Sequence, residues 1–173
     1  MSARYARAGK MPKVRPVYVN AIAMAINGAR RLSSDDVQRQ VGIAQDAFER
    51  LLRGAPSSDD WRSLADTANM AETMVGLGLC AGAKARQVVA DAQEALAYAQ
   101  QERGERGTWA LRAQEREEMR ERLGWLIALH REQLAACSYS EFEQAYQRTC
   151  ARIAQARAGN APAGALVVEG ELA

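Results

Sequence analysis

The chain of 173 residues is 48% hydrophobic and 25% charged, a balance that fits one globular domain and excludes wholesale disorder. No window approaches the ~18 consecutive apolar residues of a membrane span, and the amino terminus lacks the apolar block of a secretion signal. We therefore expect a soluble, cytoplasmic protein with no membrane partner. Only 6% of the residues are aromatic, and the apolar share is rich in alanine, which favours closely packed helices.

Charge is distributed unevenly along the chain. The first 34 residues carry seven basic side chains and no acidic one, whereas the whole chain has 23 basic and 21 acidic residues, so the remainder is mildly acidic. This pattern predicts a basic arm at residues 1–18 that contacts nucleic acid or an acidic partner, although a solvated terminus would have the same composition. The candidate contact residues of the arm are Arg4, Arg7, Lys10, Lys13 and Arg15.

Three helices are predicted between the arm and the segment GLGLCAG. A short first helix follows Asn20, a residue suited to cap it. The second and third helices both begin with SSDD, in which serine caps free amides and aspartate suits the positive helix end. Their apolar stripes recur at helical spacing, through Val37, Val41, Ala44, Phe48 and Leu51 and then through Trp61, Leu64, Ala68, Ala71 and Val75.

Three more helices are predicted after that glycine-rich segment. The fourth covers about residues 83–102, the fifth covers about residues 111–137, and a Ser138–Glu141 capping box begins the sixth. We expect the fifth and sixth helices to pair as a hairpin. The expected buried stripe of the sixth helix consists of Phe142, Tyr146, Cys150 and Ile153.

The expected fold class is all-α, with about six mostly antiparallel helices in one bundle-like domain at residues 19–158 and a flexible tail at residues 159–173. The alanine-rich fourth helix suits either the interior of a monomer or a symmetric dimer, so a homo-oligomer is left open. The charged start of the fifth helix is typical of a solvated surface, but it is also a candidate contact surface. Its basic residues are Arg112, Arg116, Arg120 and Arg122.

His130, the only histidine, lies on the apolar stripe of the fifth helix with Leu123 and Leu134. A histidine in that position is typical of a packed core residue. General base catalysis would need an orienting carboxylate and a substrate pocket, and the sequence does not single out any residue as the orienting carboxylate. Cys137 lies ~10 Å further along the helix, too far for a catalytic Cys–His pair.

No catalytic, metal-binding or cofactor-binding residue is predicted. The cysteines at positions 80, 137 and 150 are far apart and form no C-x-x-C pair, so a disulfide framework or a zinc site is not expected. We expect them to be small buried apolar residues. The sequence has no P-loop and no G-x-S-x-G motif, and its paired aspartates fit helix caps better than metal ligands.

Residues 36–54 resemble the helix-turn-helix of repressor-type DNA-binding domains. The resemblance rests on a short helix, a glycine at Gly42 and a second helix that ends at Gly54. It implies that Gln45, Glu49 and Arg50 face the major groove. Acidic residues on this helix are unfavourable near DNA, and Gly42 also fits a kink in one long helix. A DNA-binding transcriptional regulator is therefore the alternative function.

Most of the chain resembles small helical proteins encoded by phages and prophages of proteobacteria, which have no assigned enzymatic activity. The segments that carry the resemblance are RPVYVN, AMAINGARRL, LLRG, DDWRSLADTANMAE, GTW and LGWLIALHREQLAACSYSEFEQAY. The resemblance implies that residues 33–54 form an ordinary bundle helix. Because a small helical body without catalytic residues, with charged helices and an arm, has binding as its available mechanism, we expect a non-enzymatic phage or prophage accessory protein of the host cytoplasm. It would bind a host or phage protein stoichiometrically to regulate a process or to block host defence.

Overall fold

The computed structural model describes residues 21–109 and 111–158, and its regular elements are all α-helices. The prediction of an all-α fold with six helices is therefore confirmed. The predicted arm at residues 1–18 and the predicted tail at residues 159–173 lie outside the described residues. The helices are α1 (Ala21–Ala29), α2 (Ser34–Leu52), α3 (Ser58–Gly76), α4 (Ala83–Arg106), α5 (Ala113–Ala136) and α6 (Tyr139–Arg157). None of them is long and apolar enough to cross a membrane.

The starts of three helices are fixed by the serine caps that the sequence predicts. The side chains of Ser33, Ser57 and Ser138 each accept a hydrogen bond from the backbone amide three residues later, at the beginnings of α2, α3 and α6. Asp60 completes the capping box of α3, since its carboxylate accepts a hydrogen bond from the Ser57 amide at 2.8 Å. Local sequence thus fixes where these helices begin.

Helices α2 to α5 form an antiparallel four-helix bundle. Consecutive helices are joined by short loops and pack on one another, α5 packs back against α2, and α3 also contacts α5 across the centre. The apolar stripes predicted for α2, α3 and α5 face this core. Trp61 is 1% exposed, and its indole Nε1 donates a hydrogen bond to the Leu96 carbonyl oxygen at 2.9 Å, which joins α3 to α4.

The predicted pairing of α5 with α6 is wrong, because α6 packs on the outer side of α3, and α1 packs on α6. The predicted stripe of α6 is wrong for two of its four residues, since Phe142 packs against the core and Ile153 is half-buried. Tyr146 and Cys150 are exposed, whereas the small residues Ala145 and Thr149 are buried. The hydroxyl of Thr149 donates to the Thr73 hydroxyl at 2.8 Å, so the contact between α6 and α3 depends on close approach and polar bonds.

Helix α2 is continuous from Ser34 to Leu52, so the turn that a helix-turn-helix requires at Gly42 is not formed. The helix-turn-helix expected at residues 36–54 is therefore wrong. The positive φ angles among the described glycines occur at positions 54, 78 and 107, where helices end, and not at position 42. A glycine inside a helix costs about 1 kcal/mol relative to alanine, a cost that the buried stripe of α2 outweighs.

Candidate functional site

An open groove runs along the outer surface between α4 and α5, and we call it the α4–α5 groove. It consists of adjoining depressions of about 310, 390 and 160 Å³. The first two share Lys84, Val88 and Trp125 in their linings, and the last two share Arg122. From Lys84 to Tyr98 the groove follows about four turns of α4, a length of ~20 Å.

Trp125 is the central apolar residue of the α4–α5 groove. It is 56% exposed, whereas its neighbours Leu126 and Ile127 are buried in the core. Leu129 lies one turn further along α5 and lines the same groove. The amino group of Lys84 lies 5.7 Å from the centre of the Trp125 ring, a cation–π distance. Helix α5 therefore presents apolar side chains both to the core and to the surface.

The end of the groove near Tyr98 is closed by a network of hydrogen bonds around Glu115. Arg106 donates to both carboxylate oxygens of Glu115, at 2.9 and 3.2 Å, and the Tyr98 hydroxyl donates at 3.2 Å. The bonds from Arg106 and from the Arg112 amide hold the pKa of Glu115 at about 2. Glu115 is therefore ionised at neutral pH and joins the end of α4 to the start of α5.

The rim of the groove is acidic. Arg122 and Glu94 neutralise each other through an ion pair of 3.1 Å. Lys84 is the other basic residue of the lining. Four acidic side chains along the groove have no basic partner in the part of the chain that the structure describes: Asp91, Glu118, Glu121 and Glu132. A complementary surface would therefore carry positive charge.

The four arginines predicted as a contact surface on α5 do not share one side of the helix. Arg112, Arg116 and Arg120 recur every fourth residue, and the Arg116 guanidinium approaches Gly54 at the end of α2. Arg122 instead contacts Glu94 on α4 and lines the α4–α5 groove. The structure therefore brings one of the four into the candidate site.

The other predicted binding residues that the structure describes do not line the α4–α5 groove. The arm residues Arg4 to Arg15 lie outside the described residues. Glu49 accepts a hydrogen bond from Arg53 at 2.6 Å, and Arg50 donates to Asp60 at 2.7 Å, so both are engaged within the protein. Gln45 is half-buried on α2. DNA binding itself stays a prediction, without the helix-turn-helix geometry that suggested it.

His130 is a core residue, as its position on the apolar stripe predicts. It is 6% exposed, and its Nδ1 atom is buried without a hydrogen-bond partner. Burial lowers the pKa of His130 to about 4, and the nearby Gln133 opposes this shift without cancelling it. Gln133 is fully buried and donates from Nε2 to the Ala71 carbonyl oxygen at 3.1 Å. His130 is therefore neutral at pH 7, and it does not line the α4–α5 groove.

The expectation that all three cysteines are buried is wrong for two of them. Cys137 is buried and its pKa is raised by that burial to about 11. Cys80 and Cys150 are exposed. Cys80 lies in the loop between α3 and α4, and its backbone adopts the left-handed conformation with a φ of 50°. Cys150 lies on the exposed side of α6. The prediction failed for Cys150 because the wrong face of α6 was taken as the buried one.

The α4–α5 groove leaves one signal in the sequence. Trp125 and Leu129 are spaced by four residues, opposite to the stripe that contains Leu123 and Leu134, and this second apolar stripe indicates a surface for contact. Comparison of the chain with known protein families, with curated proteins and with solved structures gave no match. The resemblance to phage-encoded helical proteins therefore stays a prediction, and the α4–α5 groove is the feature of the described chain that indicates a binding function.

Proposed function

We propose that this protein is a non-enzymatic accessory protein of a phage or prophage, which acts by stoichiometric binding to a protein partner through the α4–α5 groove. The observation that carries the proposal is Trp125, a large aromatic side chain that is 56% exposed in the middle of the groove. Tryptophan is enriched among the residues that dominate binding energy at protein interfaces. Burial by a partner would remove this apolar surface from water.

The shape of the groove suits an α-helix of the partner. Its length of ~20 Å accommodates about four helical turns. Trp125, Leu129 and Val88 provide apolar contacts at its centre, and Tyr98, which is 44% exposed, provides an aromatic contact at its end. An amphipathic helix that lays its apolar stripe in a groove is a common mode of protein recognition.

The charge of the groove defines the partner further. Because the unpaired acidic residues along the rim outnumber Lys84, a partner helix with lysine or arginine beside its apolar stripe would be favoured. A second copy of this chain suits the groove less well, since a two-fold contact would bring two acidic rims together. We therefore expect a different protein with a basic amphipathic helix.

The proposal is tested by affinity capture from a proteobacterial lysate, with and without nuclease, and then by titration of the purified partner. The variants are Trp125→Ala and, as a matched control, Tyr146→Ala, which removes an aromatic residue that is 50% exposed on α6. We expect Trp125→Ala to weaken binding by about 30-fold or more, the loss typical of a central tryptophan, and Tyr146→Ala to leave it unchanged.

Two outcomes would contradict the proposal. Equal affinities of the partner for the wild type and Trp125→Ala would show that the groove is not the binding surface. Recovery of nucleic acid alone, with every protein lost after nuclease treatment, would instead favour the DNA-binding alternative. Light scattering over a range of concentrations detects self-association, and a dimer broken by Trp125→Ala would replace the foreign partner by a second copy.

A further inference from the structure

A second groove lies on the other side of α4, above α3 and between α4 and α6. Its volume is about 630 Å³, within the range typical of small-ligand sites. Helices α4 and α6 each pack on α3, which therefore forms the floor, while they form the two walls. Arg86 projects from the α4 wall, and Arg148 and Arg152 project from the α6 wall, so we call it the arginine groove.

One of the three arginines is held in place by a polar network. Arg152 donates to the Glu72 carboxylate at 2.8 Å and to the Thr73 hydroxyl at 3.2 Å. The buried amide of Gln93 donates to the same carboxylate at 3.2 Å. Glu72 is the acidic residue of the groove lining, and its charge is thus compensated by Arg152.

The other two arginines have no such compensation. Neither Arg86 nor Arg148 forms an ion pair or a side-chain hydrogen bond with the rest of the described chain. Both line the same groove, so it holds two positive charges without a counter-charge, one on each wall. A guanidinium group presents paired N–H donors that match the two oxygens of a carboxylate or phosphate. An anion in the groove would therefore gain charge-assisted hydrogen bonds from both sides.

The remaining lining residues indicate the size and the body of the ligand. Val75 on the floor and Val89 and Ala90 on the α4 wall are apolar, which suits a carbon skeleton. The wall of α4 extends from Arg86 to Gln93, only ~10 Å at 1.5 Å per residue. This is the length of a small molecule and is too short for several turns of a bound polymer.

We propose that the arginine groove binds a small organic anion with two anionic groups, carboxylate or phosphate, one paired with Arg86 and one with Arg148. The site is independent of the α4–α5 groove, because α4 contributes different residues to each: Arg86 and Gln93 here, Lys84 and Val88 there. It therefore does not rest on the protein-binding proposal.

The experiment uses two probes on the full chain, with the ionic strength held constant by sodium chloride. Suberate carries two carboxylates on a six-carbon apolar linker, and pyrophosphate carries two phosphate groups. Binding is measured by isothermal titration calorimetry and by the rise in the melting temperature. The variants are Arg86→Gln and Arg148→Gln, with Arg39→Gln as the control, since Arg39 is an exposed arginine on α2 away from the groove. The three substituted residues, Arg39, Arg86 and Arg148, are exposed, so each variant is expected to fold.

We expect saturable one-to-one binding of at least one probe to the wild type and to Arg39→Gln. Either groove variant should weaken that binding by about 10-fold or more, as loss of a charge-assisted bond predicts. A response to suberate alone identifies a carboxylate ligand, and a response to pyrophosphate alone identifies a phosphate ligand. The proposal is overturned if neither probe binds saturably, or if the groove variants bind as tightly as the wild type.

Discussion

Acidification from pH 7.5 to pH 5 should lower the free energy of unfolding by about 2 kcal/mol, because His130 must stay neutral to remain buried. Its pKa falls from 6.5 to about 4 on folding. The unfolded chain therefore binds more protons than the folded chain between those values, and stability decreases as the pH falls through this window. At about 1.4 kcal/mol per pH unit, the whole effect amounts to roughly 3 kcal/mol.

Burial raises the pKa of Asp66, and between pH 6.5 and pH 5 that group acts in the opposite direction, so the histidine is isolated by comparison with a variant that lacks it. The carboxylates with lowered pKa values, including Asp36, Glu115 and Glu141, begin to reduce stability only as the pH approaches their unfolded values, 3.8 for aspartate and 4.5 for glutamate. Since the chain contains one histidine, the expected decrease is assigned to a single side chain.

The assay is urea unfolding at several pH values, followed by circular dichroism. His130→Leu places an apolar residue on the stripe and removes the titrating imidazole, so the free energy of unfolding of this variant should be nearly constant between pH 7.5 and pH 5. Ile127→Val is the control, since it reduces packing one turn away and keeps the histidine. Parallel curves for the wild type and His130→Leu would refute the reasoning, as would a histidine proton resonance that titrates near pH 6.5.

Two further predictions concern α2 and α3. Gly42→Ala should raise the free energy of unfolding by about 0.5–1 kcal/mol, because the position is helical and an added Cβ atom meets nothing within 4 Å. Gly54→Ala should lower the free energy of unfolding, because φ at that position is +82°. Destabilisation by Gly42→Ala would contradict the continuous helix. Asp60→Ala should cost about 2 kcal/mol in the same urea assay, since it removes the carboxylate half of the α3 capping box and leaves Arg50 unpaired. Asp59→Ala, at an exposed position, should cost less than about 0.5 kcal/mol.

Helix boundaries and the bundle stripes were predictable because they depend on nearby residues. The serine caps and the spacing of residues such as Trp61 and Leu64 determine where α3 begins and which side is buried. Burial of His130 followed from the same spacing. In these elements each local preference agrees with the tertiary structure.

The packing of α6 was not predictable in this way. Its larger apolar residues suggested a stripe through Phe142 and Tyr146, but contact with α3 buries Ala145 and Thr149, because small side chains let the two helices approach closely. Both candidate grooves depend on such long-range packing. The arginine groove, for example, joins Arg86 and Arg148, which are 62 positions apart in the sequence.

The way α6 is attached has a consequence for local unfolding. Its fully buried residues are Ala145 and Thr149, and Phe142 is partly buried against the core, whereas α3 has eleven buried residues, some of which contact α6. Detachment of α6 would thus expose little apolar surface and cost much less than global unfolding. In hydrogen exchange, the amides of α6 should lose protection as one cooperative group, well before those of α3 and α5. The described part of the chain then consists of a stable four-helix bundle and an outer helix, α6, which carries α1 and opens independently of the bundle.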